Sequence, residues 1–262
     1  MKIPVTSREA PELADYVSLR DSQLRRRLEG ERGIFIAEGE KIIRRAFEAG
    51  ARPRSLLLAP KWLPGLADLL EELPEVPCLV AEEALIETIS GFHVHRGALA
   101  AFERPEETPW EVIHRARRVL LCEGLVDHAN TGAIIRVAAA LGWDAVLISP
   151  DGADPLYRRA VKASMGACFQ VGWRRMSDPV NELQQLREHG FTLAATTLAP
   201  DAVELAGYRA PEKLALMLGS EGHGLSREWL AAAEVRLTVE MAAGVDSLNV
   251  AAAAAIFAHW LR

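Results

Sequence analysis

The chain has 262 residues, 50% of them apolar and 25% charged, with a formal net charge of −6. That balance excludes disordered and fibrous classes, and the length allows two domains with cores of their own. No apolar run is long enough to cross a membrane, and the opening MKIPVTSREAPELADY lacks an apolar signal core, so a cytoplasmic enzyme or binding protein is expected.

Basic residues gather at the start. Residues 1 to 54 carry 12 Lys and Arg against 9 Asp and Glu, whereas residues 55 to 110 carry 3 against 10. Arg25, Arg26 and Arg27, followed by Arg44, Arg45, Arg52 and Arg54, offer either an anion-binding surface or a solvated helix face. Through this first part GIFIAEG, SLLLAP, PCLVA and GALAAF read as strands, with helical patterns near 39 to 49, 62 to 72 and 82 to 89. His93 and His95 have no cysteine or carboxylate at ligand spacing, so they read as ordinary loop or strand residues and no metal is expected. Prolines and acidic residues without apolar periodicity mark ERPEETPW as a linker. The domains are therefore placed at 1–102 and 111–262, with 103–110 between them.

Beyond the linker RVLLCEG, DAVLISP, ACFQVGW, TLAATTLA, LALMLGS and VRLTVEM read as strands. Helical patterns fall near 130 to 141, 155 to 164, 179 to 189, 226 to 233 and 247 to 261. Near-continuous apolar strands alternating with helices predict an α/β fold with a parallel sheet covered on both faces. In ADPLYRRAVK, Asp154 reads as a helix cap and Pro155 as the first helical residue. Cys78, Cys122 and Cys168 are far apart and each lies in an apolar run, which reads as buried reduced thiols.

Ligands of open α/β sheets bind just beyond the carboxyl ends of the strands, and three such ends are unusual. LALMLGSEGHGLS carries Gly219, Gly222 and Gly224, which let the backbone turn tightly and approach a ligand, although neither dinucleotide nor phosphate-loop spacing is present. In GVDSLNVAAAAAIF, Ser247 reads as the N-cap of the last helix and Asn249 as a first-turn residue facing the ligand side. Only three asparagines occur in the chain, and capping by Ser247 leaves this one unexplained. In DHANTGAIIRVAAALG, Asn130 precedes Arg136 by six positions on a helix with a core-type apolar pattern. A buried Arg136 among Ile135, Val137 and Ala138 needs an anion or a ring of carbonyls, and a structural salt bridge meets that need as well as a substrate does.

Taken together, NTGAIIRVAAALG, LGSEGHGLS and SLNVAAAAAIFA, in this order and at these separations, resemble the three signature motifs of the SpoU/TrmH family of RNA ribose 2′-O-methyltransferases, of the SPOUT class. The resemblance covers roughly residues 117 to 262. FIAEGEKIIRRAFEAG and, more loosely, HRGALAAF resemble the substrate-binding domain of L30e-like fold that many members carry, with Arg96 where the family commonly has Gln. The third motif opens Val239-Glu240-Met241 instead of Ile-Pro-Met, and Asp127-His128-Ala129 stands where Asp-Pro often precedes the first Asn.

The resemblance implies a C-terminal parallel sheet tied in a deep trefoil knot, S-adenosylmethionine held largely by main chain, and a homodimer whose interface adjoins the pocket. It places cofactor contacts at Thr197, Leu198, Leu218, Gly219, Glu221, Gly222, Met241, Leu248 and Ala251. The implied catalytic set is Asn130, Arg136, Glu221, Ser247 and Asn249. Methyl transfer to a hydroxyl is an in-line displacement, so these groups are expected to orient the ribose. A guanidinium stays protonated, which favours Arg136 as an anion holder over a base. The expected partner is RNA, ribosomal before transfer RNA, with Arg25, Arg26, Arg27, Arg44 and Arg45 as its basic surface. A non-catalytic RNA-binding protein of the same fold is the rival reading.

Overall fold

The structure is a computed structural model of the chain and describes residues 1–17, 19, 29–91, 97–242 and 247–262. Arg25, Arg26 and Arg27, as well as His93, His95 and Arg96, lie outside the described residues. Cα packing divides the chain into two units: Met1–Pro105 with Leu156–Gly166, and Glu106–Pro155 with Ala167–Arg262.

The first unit holds β1 (Lys2–Pro4), β2 (Ile34–Glu38), β3 (Pro53–Leu58), β4 (Cys78–Val80) and β5 (Ala98–Glu103), paired in the order β1-β4-β3-β5-β2. β4 pairs in parallel with β1 and β3, whereas β5 runs antiparallel to β3 and β2. β1 has too few residues to show a period, and the sequence gives no sign of it. The helix expected near 62 to 72 is broken into 3-10 turns at Pro60–Trp62 and Pro64–Leu66 before a regular turn-and-a-half at Ala67–Glu72. Each proline lacks a backbone donor and restarts the helix at its own position. The Tyr16 hydroxyl is fully buried, donates to the Ser55 carbonyl at 2.7 Å and accepts from the Ala101 amide at 3.1 Å.

Residues 156–166 were expected inside the second domain, but they pack with the first unit. The reason is a buried carboxylate. Glu38, at the end of β2, takes the Arg158 guanidinium at 2.5 Å and the Lys162 ammonium at 2.6 Å. Two cations at i and i+4 on the helix Arg158–Ala163 thus neutralise one carboxylate that is only 3% exposed. That helix starts at Arg158 with Tyr157 at its cap and no capping side chain, so the expected start at Asp154 and Pro155 is wrong.

The second unit holds β6 (Arg118–Cys122), β7 (Ala145–Ile148), β8 (Gly172–Arg175), β9 (Thr192–Thr196), β10 (Val203–Glu204), β11 (Leu214–Leu218) and β12 (Val235–Thr238). They form one sheet in the order β10-β12-β9-β11-β6-β7-β8, every pair parallel. The unbroken apolar runs of β7 and β11 are buried at every position, as a parallel sheet covered on both faces requires. The expected strand ACFQVGW is instead a 3-10 turn at Ala167–Phe169 followed by β8 from Gly172. After β6 the chain adds strands first on one side, β7 and β8, and then on the other, so β6 and β11 flank the switch point of strand order, where ligands of open parallel sheets bind beyond the carboxyl ends.

Two helices stand at that crevice. His128–Leu141 follows β6, and Val250–Trp260 closes the chain and packs against it. Val250, Ala254, Phe257 and Ala258 form the buried stripe of the closing helix, and small alanines on this stripe allow close packing. The Trp143 indole donates to the Ala258 carbonyl at 3.0 Å, and Arg118 Nε donates to the Leu261 carbonyl at 2.7 Å, which fastens the end of the chain. Among the described residues no helix is long and apolar enough to cross a membrane.

Candidate active site

The helix after β6 begins at His128 because Asp127 caps it, its Oδ1 accepting from the Ala129 and Asn130 amides at 2.8 and 2.9 Å. This fixes Asn130 in the first turn with its side chain at the strand end. The second strand end is a tight loop: Ser220 and Gly224 exchange backbone hydrogen bonds at 3.2 and 2.8 Å. Gly219 has no room for a side chain, since a Cβ there would lie 2.2 Å from the Gly224 carbonyl carbon and 2.3 Å from the Leu225 nitrogen. Gly224 itself has φ +67°, the left-handed region that glycine enters freely. The loop therefore folds back on its own strand and carries Glu221 at its tip.

Asn249, not Ser247, is the N-cap of the closing helix. Its Oδ1 accepts from the Ala251 and Ala252 amides at 3.0 and 3.3 Å. Its Nδ2 donates to Asn130 Oδ1 at 3.0 Å and to Glu221 Oε1 at 2.5 Å. The Val250 amide adds a long contact to the same Glu221 oxygen at 3.4 Å. Three motifs distant in sequence thus meet side chain to side chain. The first-turn amides of this helix, at Val250, Ala251 and Ala252, are thus engaged by Glu221 and Asn249.

Beside this network lies a cavity of about 560 Å³, bounded by the ends of β9, β11 and β12 and by the closing helix. Its walls include Thr197, Leu198, Leu218 and Gly219, then Glu221, Gly222, Met241, Ser247 and Leu248. Ala251 is not in the wall. Val250, Ala253 and Phe257 are, at the helical spacing of one face, together with Leu225 and Leu230; sequence reasoning missed these five. For the three on the closing helix the only signal was the i, i+3, i+7 repeat, which a core face shares. The volume is that of a small-molecule site, and a mainly apolar wall with a few convergent polar groups is the usual composition of one.

Arg136 departs from expectation. It is exposed rather than buried, and among the described residues no hydrogen bond joins it to Asn130, Glu221 or Asn249. Its place on the helix Asn130 occupies, six residues on, turns the two side chains apart.

The basic candidates of the first unit are also engaged. Arg44 grips both oxygens of Asp68 at 2.8 Å each, contacts Glu40 at 3.3 Å and donates to the Gly65 carbonyl. The pair with Arg44 holds the Asp68 carboxyl down at about 2. Arg45 donates to the Met165 carbonyl. Both guanidiniums therefore have partners within the protein. The three cysteines are buried and form no disulfide, and burial pushes the Cys122 thiol up to about 12. Among the described residues no group of three potential metal ligands occurs.

The sequence profile of the SpoU rRNA Methylase family matches residues 117–259, the stretch that holds all three motifs. The chain belongs to this SpoU family. An uncharacterized tRNA/rRNA methyltransferase of Mycobacterium bovis is 39% identical over 252 residues, covering 94% of this chain and 86% of the relative. The 23S rRNA (guanosine(2553)-2′-O)-methyltransferase RlmP of Bacillus subtilis is 27% identical over 228 residues, covering 87% and 88%. Among solved structures, the AdoMet-bound rRNA methyltransferase from Sinorhizobium meliloti superposes with a TM-score of 0.84 at 25% identity, over 99% of this chain and 97% of that one. In this SpoU chain the family's methyltransferase region therefore coincides with the sheet, cavity and polar network of the second unit.

Proposed function

We propose that the protein transfers a methyl group from S-adenosylmethionine to a ribose 2′-hydroxyl of structured RNA, ribosomal RNA foremost. The observation that carries this reading is the meeting of Asn130, Glu221 and Asn249 at the edge of a cavity of about 560 Å³. The cavity suits the cofactor: apolar walls from Leu218, Leu248 and Phe257 accept an adenosyl group, and the glycines at 219 and 222 admit close main-chain contact. Thr197, Leu198, Leu218, Gly219, Gly222, Met241 and Leu248 would hold it, with Ala251 behind them. When bound, S-adenosylmethionine supplies an electrophilic methyl group on a sulfonium.

The chain's own residues do the rest. Asn130 Nδ2 and Ser247 Oγ orient the ribose hydroxyl, and holding it in line removes most of the entropic barrier. Arg136, exposed on the helix that carries Asn130, holds a phosphate of the RNA from solvent, and Arg25, Arg26 and Arg27 add a basic surface. The relative named as a 23S rRNA 2′-O-methyltransferase supports both the hydroxyl acceptor and ribosomal RNA. A tRNA acceptor is the second reading, favoured by relatives named for both RNAs.

A homodimer fits as well. Ile256 and Trp260 are 41% and 53% exposed on the closing helix, an apolar face that a second copy would cover. We read the C-terminal sheet as tied in a deep trefoil knot on the strength of the family match, with the closing helix packed beside the helix after β6. The mixed five-stranded sheet of the first unit is read as L30e-like, with the enzyme acting in the cytoplasm.

Calorimetry with S-adenosylmethionine, followed by methyl incorporation into total RNA from cells lacking the protein, tests this. Saturable binding and 2′-O-methyl groups on ribosomal RNA are expected. Methyl groups on transfer RNA alone favour the second reading, binding without incorporation a non-catalytic RNA-binding protein, and no binding rejects the assignment.

A further inference from the structure

The helix Arg158–Ala163 brings positive charge to the first unit. From Leu156 to Gly166 the chain carries Arg158, Arg159 and Lys162 and neither Asp nor Glu, and the whole segment packs with that unit. Its anchor is Glu38, whose two oxygens take Arg158 at 2.5 Å and Lys162 at 2.6 Å. One buried carboxylate thus meets two cations, and the pairing leaves net positive charge where the helix reaches solvent. The Lys162 side chain is 45% exposed and spends one of its three donors on Glu38.

A second helix, Glu40–Glu48, packs on the same strand, β2. Lys41 and Arg45 stand one turn apart on it, and both are exposed. Arg45 donates to the Met165 carbonyl, three residues beyond Lys162, so the cations of the two helices are neighbours. That bond uses one of the five donors of its guanidinium. Arg159, exposed and three residues before Lys162, lengthens the row. Acidic residues do little to offset it. Glu38 is doubly paired, Arg44 holds Glu40, and Glu48 in the last turn is the remaining acid of the two helices.

A chain of net charge −6 repels a polyanion over most of its surface, so RNA has to approach where cations gather without free acids. Resting on the methyl-transfer reading, we propose that Lys41, Arg45, Arg159 and Lys162 form a face of the first unit that binds the phosphate backbone of the substrate RNA. Half of this face comes from residues 156–166, far along the chain from the rest of the unit. Its contacts are to phosphate, so they supply affinity and fix where the RNA lies, and they read no base.

The test measures binding of the full-length protein to ribosomal RNA from cells lacking it, as a function of salt. Lys41→Glu with Arg159→Glu changes two exposed side chains, so the Tm and S-adenosylmethionine affinity should match wild type. RNA affinity at about 0.1 M salt should fall on the order of tenfold, and the slope of log affinity on log salt should shrink by about 1.5, the loss of two phosphate contacts. Lys41→Arg with Arg159→Lys keeps both charges and should bind as wild type does. Arg52→Glu is the control for charge alone. Arg52 is exposed on the same unit, but its carbonyl meets the Glu103 amide at one end of β5, whereas Glu38 pairs with Leu99 at the other. Its slope should stay at the wild-type value. An equal loss in Arg52→Glu overturns the proposal. So does a wild-type slope in the double variant, which would leave the face to an acidic protein. If wild type methylates RNA and the double variant still binds it normally, this inference falls and the functional reading stands; if wild type binds no RNA, both fall.

Discussion

Asn130 and Asn249 stand 119 positions apart in the chain, yet the side-chain amide of one donates to the other at 3.0 Å. Their losses should separate by readout. Asn249→Ala removes a helix cap, worth about 1 kcal/mol, and should lower the Tm by roughly 2–4 °C in a protein of this size. Asn130→Ala should leave the Tm nearly unchanged. Both should reduce turnover by roughly 10- to 100-fold through misplacement of the reacting groups. Thermal melts with single-turnover methylation check this, and an equal fall of Tm in both would contradict it.

Gly219→Ala should be severe. The added carbon would overlap the backbone of Gly224 and Leu225, which cannot rotate away as a side chain tip does. The Ser220–Gly224 loop must open, so cofactor affinity should drop at least about tenfold and the Tm should fall, by a cost of about 1–3 kcal/mol or more. Gly222→Ala, with no protein atom within 4 Å of its added carbon, should keep the Tm and serves as the control for stability. An equal fall of Tm in the two variants would refute the steric argument.

Arg136→Lys preserves charge but not the planar fork. Because Arg136 is exposed and outside the Asn130–Glu221–Asn249 network, the variant should keep its Tm and its S-adenosylmethionine affinity while turnover on RNA falls sharply. Unchanged turnover would remove Arg136 from the reaction.

RNA affinity should distinguish two sets of arginines. Reversing Arg25, Arg26 and Arg27 should weaken binding and flatten its dependence on salt, since fewer counterions are released. Arg44→Gln should leave the salt slope as it is, because Asp68 already neutralises that guanidinium. A flattened slope in Arg44→Gln would mean that RNA displaces Asp68.

His114 supplies a pH dependence within the second unit. Its ring stacks on His189 with centroids 3.6 Å apart, and Lys213 donates to the carbonyls of both residues. Burial, then His189, lowers its pKa below the ordinary value, with Lys213 acting in the same direction and Glu111 against them. The folded state thus binds its proton less readily than the unfolded chain does. Stability is full above the unfolded value of about 6.5 and declines as pH falls through the window below it. His114→Phe keeps the stacking surface and should show a smaller loss of Tm between about pH 7.5 and about pH 5. An identical loss would show that the pair does not titrate with folding.

From the order of residues alone come the alternating α/β pattern, the parallel sheet of the second half, and three polar-tipped strand ends in family order. These are legible because apolar periodicity reports burial and backbone geometry within a few residues. The same signal placed Ser247 at the helix cap where Asn249 stands, buried an Arg136 that is exposed, and assigned residues 156–166 to the wrong unit. Nor could it show that Asp68 and the Met165 carbonyl are partners of Arg44 and Arg45. Each of those outcomes depends on which partner arrives from a distant part of the chain. A local pattern can say that an amide or a guanidinium needs a partner, but only packing in three dimensions decides which atom satisfies it.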